Sequence, residues 1–361
     1  MRPRVTTAIP PPASIGVLYT GGTFGCAGQP LAPLSAAFFV PILRTQLEQL
    51  YATDWQIIDL DPLLDSSQTQ PQHWLSILQH CLSFYQNQQL PIIVIHGTDT
   101  LAYTAAFLAE AFAGSDVRLC VTGSQRPLLD SRLNAAAAQI DPHSDALDNV
   151  RCALQAVLYA PAGVSVAFAG EHWPAQTCQK IHSQDLAAFT GHRRVGYPAT
   201  SYQSLNTVQH QHWLMQAAQR LGLLQQTLSQ IRLSVYYATP QPLAHLIEQL
   251  TDVLKRQPDG LILIGYGLGN FPDHPTLRQL LMTAQQQGCL VLISTQVPFG
   301  GTATRYASGD WLAQVGVLPS AGLTLAAIYA RLLWICATLP TATARRKRWM
   351  HCLNDHSPVK R

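Results

Sequence analysis

Two threonines and one lysine are the side chains whose types and setting could do chemistry. Thr23 closes the stretch Tyr19-Thr20-Gly21-Gly22-Thr23, and Thr98 lies inside His96-Gly97-Thr98-Asp99-Thr100. A threonine hydroxyl is a poor nucleophile until a base removes its proton. Asp99 adjoins Thr98, but neighbours on a chain need not point together. A lysine can serve as base once burial and nearby charges depress its pKa. Lys180 is the first lysine in the chain; lysines are ordinarily solvated, so residue type alone leaves its role open. Lys180 and His182 read as two residues of one short strand sharing a face. His96 reads as a structural hydrogen-bonder at a strand end.

The elements that must position these residues are legible around them. Pro91-Ile92-Ile93-Val94-Ile95 is a continuous apolar run ending at a turn, the pattern of a strand buried on both faces. A helical pattern follows from Leu101 to Phe112, and the hydroxyl and carboxylate residues before it suit an N-cap. Ser14 to Tyr19 is a second apolar strand, and the glycines after it permit a tight turn and close backbone approach. In open α/β sheets ligands bind at the carboxyl ends of the strands, where backbone N–H groups favour anions. Two strands that each deliver a threonine to that edge predict a threonine-lined site.

The rest of the chain continues the alternation. Cys26 to Pro33 reads as an irregular loop, Ala36 to Leu50 as a helix, and Trp55 to Leu60 as a strand. Asp65-Ser66-Ser67 precedes a helix from Pro71 to Gln86, where it serves as N-cap or anion site. Further strands are predicted at Val117–Thr122 and Gly163–Gly170, with Ser144-Asp145 opening a helix from Ala146 to Val157. From about Thr190 to Ser229 the pattern weakens to one helix near His212–Leu223. A second set has strands at Ile231–Tyr237, Gly260–Ile264 and Cys289–Ser294. Its helices fall near Leu243–Arg256, Pro275–Gln287 and Leu323–Ala337. The expected fold is two-domain α/β: a larger N-terminal, mostly parallel sheet with flanking helices and a smaller C-terminal α/β domain. The boundaries are 1–195 for the catalytic domain, 196–229 for a linker, 230–340 for the second domain and 341–361 for a solvated basic tail.

Composition narrows the class. Of 361 residues 47% are hydrophobic and only 12% charged, which excludes a disordered chain. A formal charge of +3 is too small to imply a nucleic-acid partner. The eight cysteines form no C-x-x-C pair, so no zinc or redox motif is expected, and a reduced, cytoplasmic setting is the simplest reading. Met1 to Pro12 lacks the apolar core of a signal peptide. Leu323 to Leu339 is nearly long enough to span a membrane, but in an α/β chain it reads as a buried or dimer-facing helix. No metal-ligand spacing, no G-x-S-x-G elbow and no phosphate-binding glycine motif is present.

Taken together, Tyr19-Thr20-Gly21-Gly22-Thr23 and His96-Gly97-Thr98-Asp99-Thr100 resemble the two signatures of the bacterial L-asparaginase family, closest to its cytoplasmic type I group. Pro62-Leu63-Leu64-Asp65-Ser66-Ser67, Thr122-Gly123-Ser124-Gln125-Arg126-Pro127, Gly267-Leu268-Gly269-Asn270 and Thr295-Gln296 follow in family order, and the similarity covers about residues 14–339. The resemblance implies a cofactor-free hydrolysis of L-asparagine to L-aspartate and ammonia through an acyl-threonine, in asparagine metabolism. It implies Thr23 as nucleophile and Thr98, Asp99 and Lys180 as a second catalytic group. Ser66 and Ser67 would hold the substrate α-carboxylate, Asp99 would pair with its ammonium, and Asn270 would reach it from the second domain, across a subunit interface of a homo-oligomer, dimer or tetramer. Neither nucleic acid nor membrane is an expected partner.

Four departures stand against the pattern. The family's first loop usually carries a tyrosine that helps activate the nucleophile; Leu31 occupies its place. The segment 129–143 is longer than the family norm, Gly322-Leu323-Thr324 lacks an acidic residue, and Arg331 replaces a usual lysine. Two alternatives therefore stay open: a glutaminase or related amidase, and a catalytically weak paralogue that binds Asn or Asp.

Overall fold

The computed structural model describes residues 12–130, 132, 139–191, 204–302 and 307–354. The N-terminal part runs β1 (Ser14–Gly21), β2 (Cys26–Ala27), β3 (Ala32–Pro33), α1 (Ala36–Leu50), β4 (Asp54–Leu64), α2 (Pro71–Gln88), β5 (Ile92–Ile95) and α3 (Leu101–Ala111). It continues through β6 (Arg118–Thr122), α4 (Ala146–Tyr159), β7 (Gly163–Phe168), β8 (Glu171–Pro174), β9 (Gln179–Lys180), β10 (Phe189–Thr190) and α5 (Thr207–Thr227). The C-terminal part runs β11 (Leu233–Tyr237), α6 (Leu243–Lys255), β12 (Gly260–Gly265), α7 (Pro275–Gln286), β13 (Leu290–Thr295), α8 (Ala307–Gln314), β14 (Leu318–Pro319), α9 (Leu325–Thr338) and α10 (Ala342–Asn354).

The larger sheet has the order β4-β1-β5-β6-β7-β8 and the smaller one β11-β12-β13-β14. All pairings are parallel except β7 with β8. This is the two-domain α/β architecture that the strand–helix alternation implies. Helices cover both faces of the larger sheet, so β1 and β5 have no solvent-facing side and read as unbroken apolar runs. Register matters for the site: Gly16 pairs with Ile92 and Tyr19 with Ile95, so the turns after β1 and β5 emerge side by side. The Thr20 hydroxyl donates to the Ile95 carbonyl at 3.0 Å and ties the two strand ends together.

Helix α3 is buried on nearly every side, which explains its uniformly apolar sequence. It packs along α9, the other helix of that kind, and Arg331 of α9 donates to Glu110 of α3 at 2.7 Å inside the joint core. The apolar stretch 323–339 is therefore a buried helix that joins the two parts. No helix among the described residues is long and apolar enough to cross a membrane. All eight cysteines are free thiols, and burial pushes those of Cys120, Cys289 and Cys336 up to about 12.

Several local expectations change. Cys26 to Pro33 is a small antiparallel hairpin, Cys26 pairing with Pro33, in place of an irregular loop. The connecting helix α5 is longer than the His212–Leu223 expected from pattern, because its polar ends carry no periodic signal; its start is capped by Asn206, which accepts from the Gln209 backbone at 2.9 Å. The stretch 192–203 lies outside the described residues.

The solvated basic tail is corrected most. Residues Ala342–Asn354 form α10, whose Trp349 is fully buried and donates its indole N–H to the Pro319 carbonyl at 2.9 Å. Arg345 donates to the carbonyls of Leu339 and Cys336 at the end of α9 and to Asp259, at 2.9, 3.0 and 3.2 Å. Two of the residues counted as solvated charge, Arg345 and Arg346, are thus docking contacts, the latter bonding the Gly316 carbonyl at 2.6 Å.

Candidate active site

The site begins where two turns touch. Gly22 has φ +82°, and a Cβ there would lie 2.4 Å from the Gly97 Cα. Only glycine allows both that conformation and that approach. On the far side, a Cβ on Gly97 would lie 2.4 Å from the Ser66 hydroxyl. Three chain segments, after β1, β4 and β5, therefore meet, the first and third backbone to backbone and the second through the Ser66 side chain. Thr23 and Thr98 leave from this contact, each as the residue after its glycine. Thr23 opens a single 3-10 turn, Thr23–Gly25, closed by the Gly25 amide and the Cys26 thiol, both donating to the Gly22 carbonyl at 3.3 Å. Thr23 is half-buried.

Lys180 arrives from 82 residues away. Its ammonium donates to the Thr98 hydroxyl oxygen at 2.8 Å and to Asp99 Oδ1 at 2.9 Å. Because the ammonium donates into the Thr98 oxygen, the Thr98 proton points elsewhere. The Lys180 side chain is 23% exposed and that of Asp99 59%, so the cation is largely covered while the carboxylate faces solvent, free to meet a ligand ammonium. The lysine sits on the two-residue strand β9, which pairs with β10, Phe189 opposite Lys180. The loop between them is held by Gln125, which donates to the Asp185 carbonyl at 3.1 Å. The amides of Gln125 and Arg126 in turn donate to the buried Asp145, each at 2.9 Å.

His182 does not share a strand face with Lys180, because β9 ends at Lys180. Its Nδ1 accepts the amides of Gln184 and Asp185 and so shapes the turn. His96 is a buried hydrogen-bonder as expected: Nδ1 contacts the Gly97 carbonyl at 2.8 Å and Nε2 the Thr104 hydroxyl at 3.1 Å. Burial lowers its pKa to about 4, so the ring is neutral near pH 7.

Ser66 is buried, and its hydroxyl accepts from the Asp99 amide at 3.3 Å. Ser67 is exposed, and both its amide and its hydroxyl are bound to Asp65 Oδ1 at 2.9 Å. Asp65 caps this short turn, while α2 starts later, at Pro71, with Gln70 as its N-cap. The expected cap before α3 is not used as one: Thr100 donates instead to the Ser66 carbonyl at 2.8 Å. Thr69, whose hydroxyl lies 2.9 Å from that of Thr100, completes this shell and was not foreseen. Its only signal is a threonine in a polar stretch after a strand. Asn270 is tied to this group by no hydrogen bond among the described residues. It closes its own loop, exchanging backbone hydrogen bonds with Tyr266 at 2.8 and 2.9 Å. Leu31 is 48% exposed in the turn of the β2–β3 hairpin.

Comparison with known proteins accords with this geometry. The N-terminal asparaginase family matches residues 14–212, which include both threonine turns and Lys180. The chain belongs to the asparaginase family. The glutaminase/asparaginase C-terminal domain matches residues 233–350, taking in most of α10. Among asparaginase relatives, the L-asparaginase of Thermococcus kodakarensis is 29% identical over 331 residues, covering 88% of this chain and 91% of that protein. L-asparaginase 1 of Escherichia coli strain K12 is 28% identical over 364 residues, covering 96% and 98%. L-asparaginase I from Vibrio cholerae has the same fold, with a TM-score of 0.73 at 22% identity over 96% of this chain and 99% of that one.

Proposed function

We propose that the protein is an L-asparagine amidohydrolase that releases L-aspartate and ammonia through an acyl-threonine intermediate. The observation that carries the reading is the Lys180 ammonium bridging Thr98 and Asp99 beside the turn that bears Thr23. The Thr23 oxygen attacks the side-chain amide carbon as its proton passes to a base. The tetrahedral adduct collapses with cleavage of the C–N bond, and the nitrogen leaves as ammonia after gaining a proton. Water then cleaves the ester, giving the aspartate carboxylate and restoring the threonine. For the relay the Lys180 ammonium first gives one proton to solvent; the neutral amine then takes the Thr98 proton while another of its N–H bonds still donates to Asp99. Asp99 holds the substrate ammonium, and Ser66 and Ser67 hold the α-carboxylate, Ser67 by exchanging its bonds to Asp65 for the ligand.

A second assignment has support of its own. Thr98 lies 2.8 Å from the Lys180 amine, which becomes a base in reach after giving a proton to solvent, and this favours Thr98 as the acylated residue. Trapping the acyl-enzyme and locating the modified peptide by mass spectrometry distinguishes Thr23 from Thr98. The decisive test of the whole reading is ammonia release from L-asparagine and L-glutamine side by side, with Thr23→Ala as blank. Asparagine turnover that vanishes in the variant supports it. Glutamine turnover alone would make the enzyme a glutaminase. Saturable Asn or Asp binding without turnover would make it a binding paralogue, as Leu31 in the loop position favours. The same reading includes a cytoplasmic homo-oligomer, dimer or tetramer, in which Asn270 meets the substrate of a neighbouring copy; light scattering tests that state.

A further inference from the structure

His96 is bonded on both ring nitrogens, and the direction of those bonds can be derived. The chain starts at Trp74 on α2, whose indole N–H only donates. It lies 2.9 Å from the Thr104 hydroxyl on α3, so that oxygen accepts. A hydroxyl that accepts once keeps both its proton and a second lone pair, so the direction of its bond with His96 Nε2, at 3.1 Å, is decided from the other side of the ring. There the Gly97 carbonyl only accepts, so the ring proton of neutral His96 sits on Nδ1 and is donated to it at 2.8 Å, which leaves Nε2 to accept the Thr104 proton. The opposite tautomer would set the Nδ1 lone pair against a carbonyl oxygen in a buried place, two acceptors without a proton between them. A buried polar atom left unsatisfied is costly, and low local polarity sharpens the cost.

We propose that His96 is a positioning residue for amide hydrolysis, held as the Nδ1–H tautomer between the Gly97 carbonyl, which accepts from it, and the Thr104 hydroxyl, which donates to it. Through the Gly97 carbonyl it fixes the turn that sets Thr98 against Lys180. The Gly97 carbonyl belongs to the peptide that joins Gly97 to Thr98. Rotating that peptide moves the start of Thr98 and, through the Gly97 Cα, the backbone of Gly22. His96 is only 1% exposed, so it acts on geometry and does not meet substrate. Because burial keeps the ring neutral down to about pH 4, the same tautomer persists over the working range. The kinetic part of this inference rests on the amidohydrolase reading; the tautomer does not.

Two measurements test it. Nitrogen-15 spectra of the histidine-labelled protein, with the His96 signal found by its loss in His96→Gln, report which ring nitrogen carries the proton. Protonated Nδ1 with bare Nε2 supports the proposal; protonated Nε2 overturns it, whatever the protein hydrolyses. Thr104→Val removes the link at constant shape, and Thr104→Ser retains it. The expected result is a kcat for asparagine lower by roughly 10- to 100-fold in Thr104→Val, with KM within about twofold, and recovery in Thr104→Ser. Unchanged kcat in Thr104→Val overturns the positioning role. If the wild-type protein hydrolyses neither amide, the functional reading fails, and the tautomer still decides whether the chain runs as inferred.

Discussion

The turns bearing Thr23 and Thr98 meet backbone to backbone, Gly22 against Gly97, with 2.4 Å between the Gly97 Cα and where a Cβ on Gly22 would stand. Gly22→Ala combines a left-handed φ with a clash against main chain, which cannot swing aside. It is expected to cost about 2 kcal/mol or more of stability and to lower kcat by roughly 100-fold. Gly97→Ala meets the Ser66 hydroxyl at 2.4 Å and its Cβ at 2.7 Å, so its damage should be smaller and relieved by Ser66→Gly. Urea melts and ammonia-release kinetics of the three variants check the order.

Leu31 offers no hydroxyl where the family's loop carries one. Its hairpin leads directly out of the Thr23 turn, and the Leu34 amide binds the Gly25 carbonyl at 2.9 Å, so the hairpin is anchored at the site. Leu31→Tyr is expected to raise turnover of asparagine by about tenfold or more. Steady-state rates settle it, and an unchanged kcat would count against the loop explanation.

Glu110 and Arg331 pair at 2.7 Å between α3 and α9, with their side chains 7% and 3% exposed. The Arg331 guanidinium also lies 6.0 Å from the Trp349 ring centre, so this contact joins both sheets and α10. A buried pair is worth little more than a well-packed apolar replacement, but half of one is a stranded charge. Glu110→Met or Arg331→Met alone should cost about 3–5 kcal/mol, and the double variant far less. A denaturation double-mutant cycle measures the difference; additive losses would show that the ions do not act as a pair.

Tyr19 lies two residues before the end of β1 with its ring fully buried, and among the described residues its hydroxyl has no hydrogen-bond partner. Burial raises its pKa far above the ordinary phenol value. A buried hydroxyl without a partner is a cost of about 1–3 kcal/mol, so Tyr19→Phe should raise the melting temperature. A Cβ on Gly25 would stand 1.9 Å from that hydroxyl. Gly25→Ala should therefore be strongly destabilising alone and less so in the Tyr19→Phe background. Calorimetric scans of the four proteins give the comparison.

His96 also imposes a pH dependence on stability. Its pKa in the folded protein, about 4, lies below the unfolded value near 6.5. Between these values the unfolded chain binds the extra proton, so stability rises with pH. The contribution is fully present above about pH 6.5 and is lost as pH falls toward 4, on the order of 3 kcal/mol across the window. Unfolding free energies at pH 7, 5.5 and 4.5 should show a steeper fall for wild type than for His96→Gln. Equal slopes would place the acid sensitivity elsewhere.

By itself the sequence determined the elements whose signal is local. Ile92–Ile95 and Ser14–Tyr19 are apolar because sheet neighbours and helices cover both faces, and that requirement is written residue by residue. The same holds for α1, predicted over the span observed, and for the glycines that let two threonine turns form. The resemblance of those turns to a known family carried the site residues with them.

Only the tertiary structure decided which of those residues meet. Lys180 reaches Thr98 and Asp99 because a two-residue strand is pinned through Phe189 and Gln125, contacts too short or too distant in sequence to leave a pattern. Ser67 turns to Asp65, His182 serves a turn, and Asn270 stays in its own loop, since a polar side chain takes the partner that folding brings nearest. Helix α10 was hidden by its charge: composition marks Arg345 and Arg346 as solvated, yet one buried indole and the open carbonyls at the end of α9 hold the helix down. Periodicity and turn chemistry act over a few residues, whereas hydrogen-bond and charge pairing are settled by whichever groups the folded chain leaves within about 3 Å.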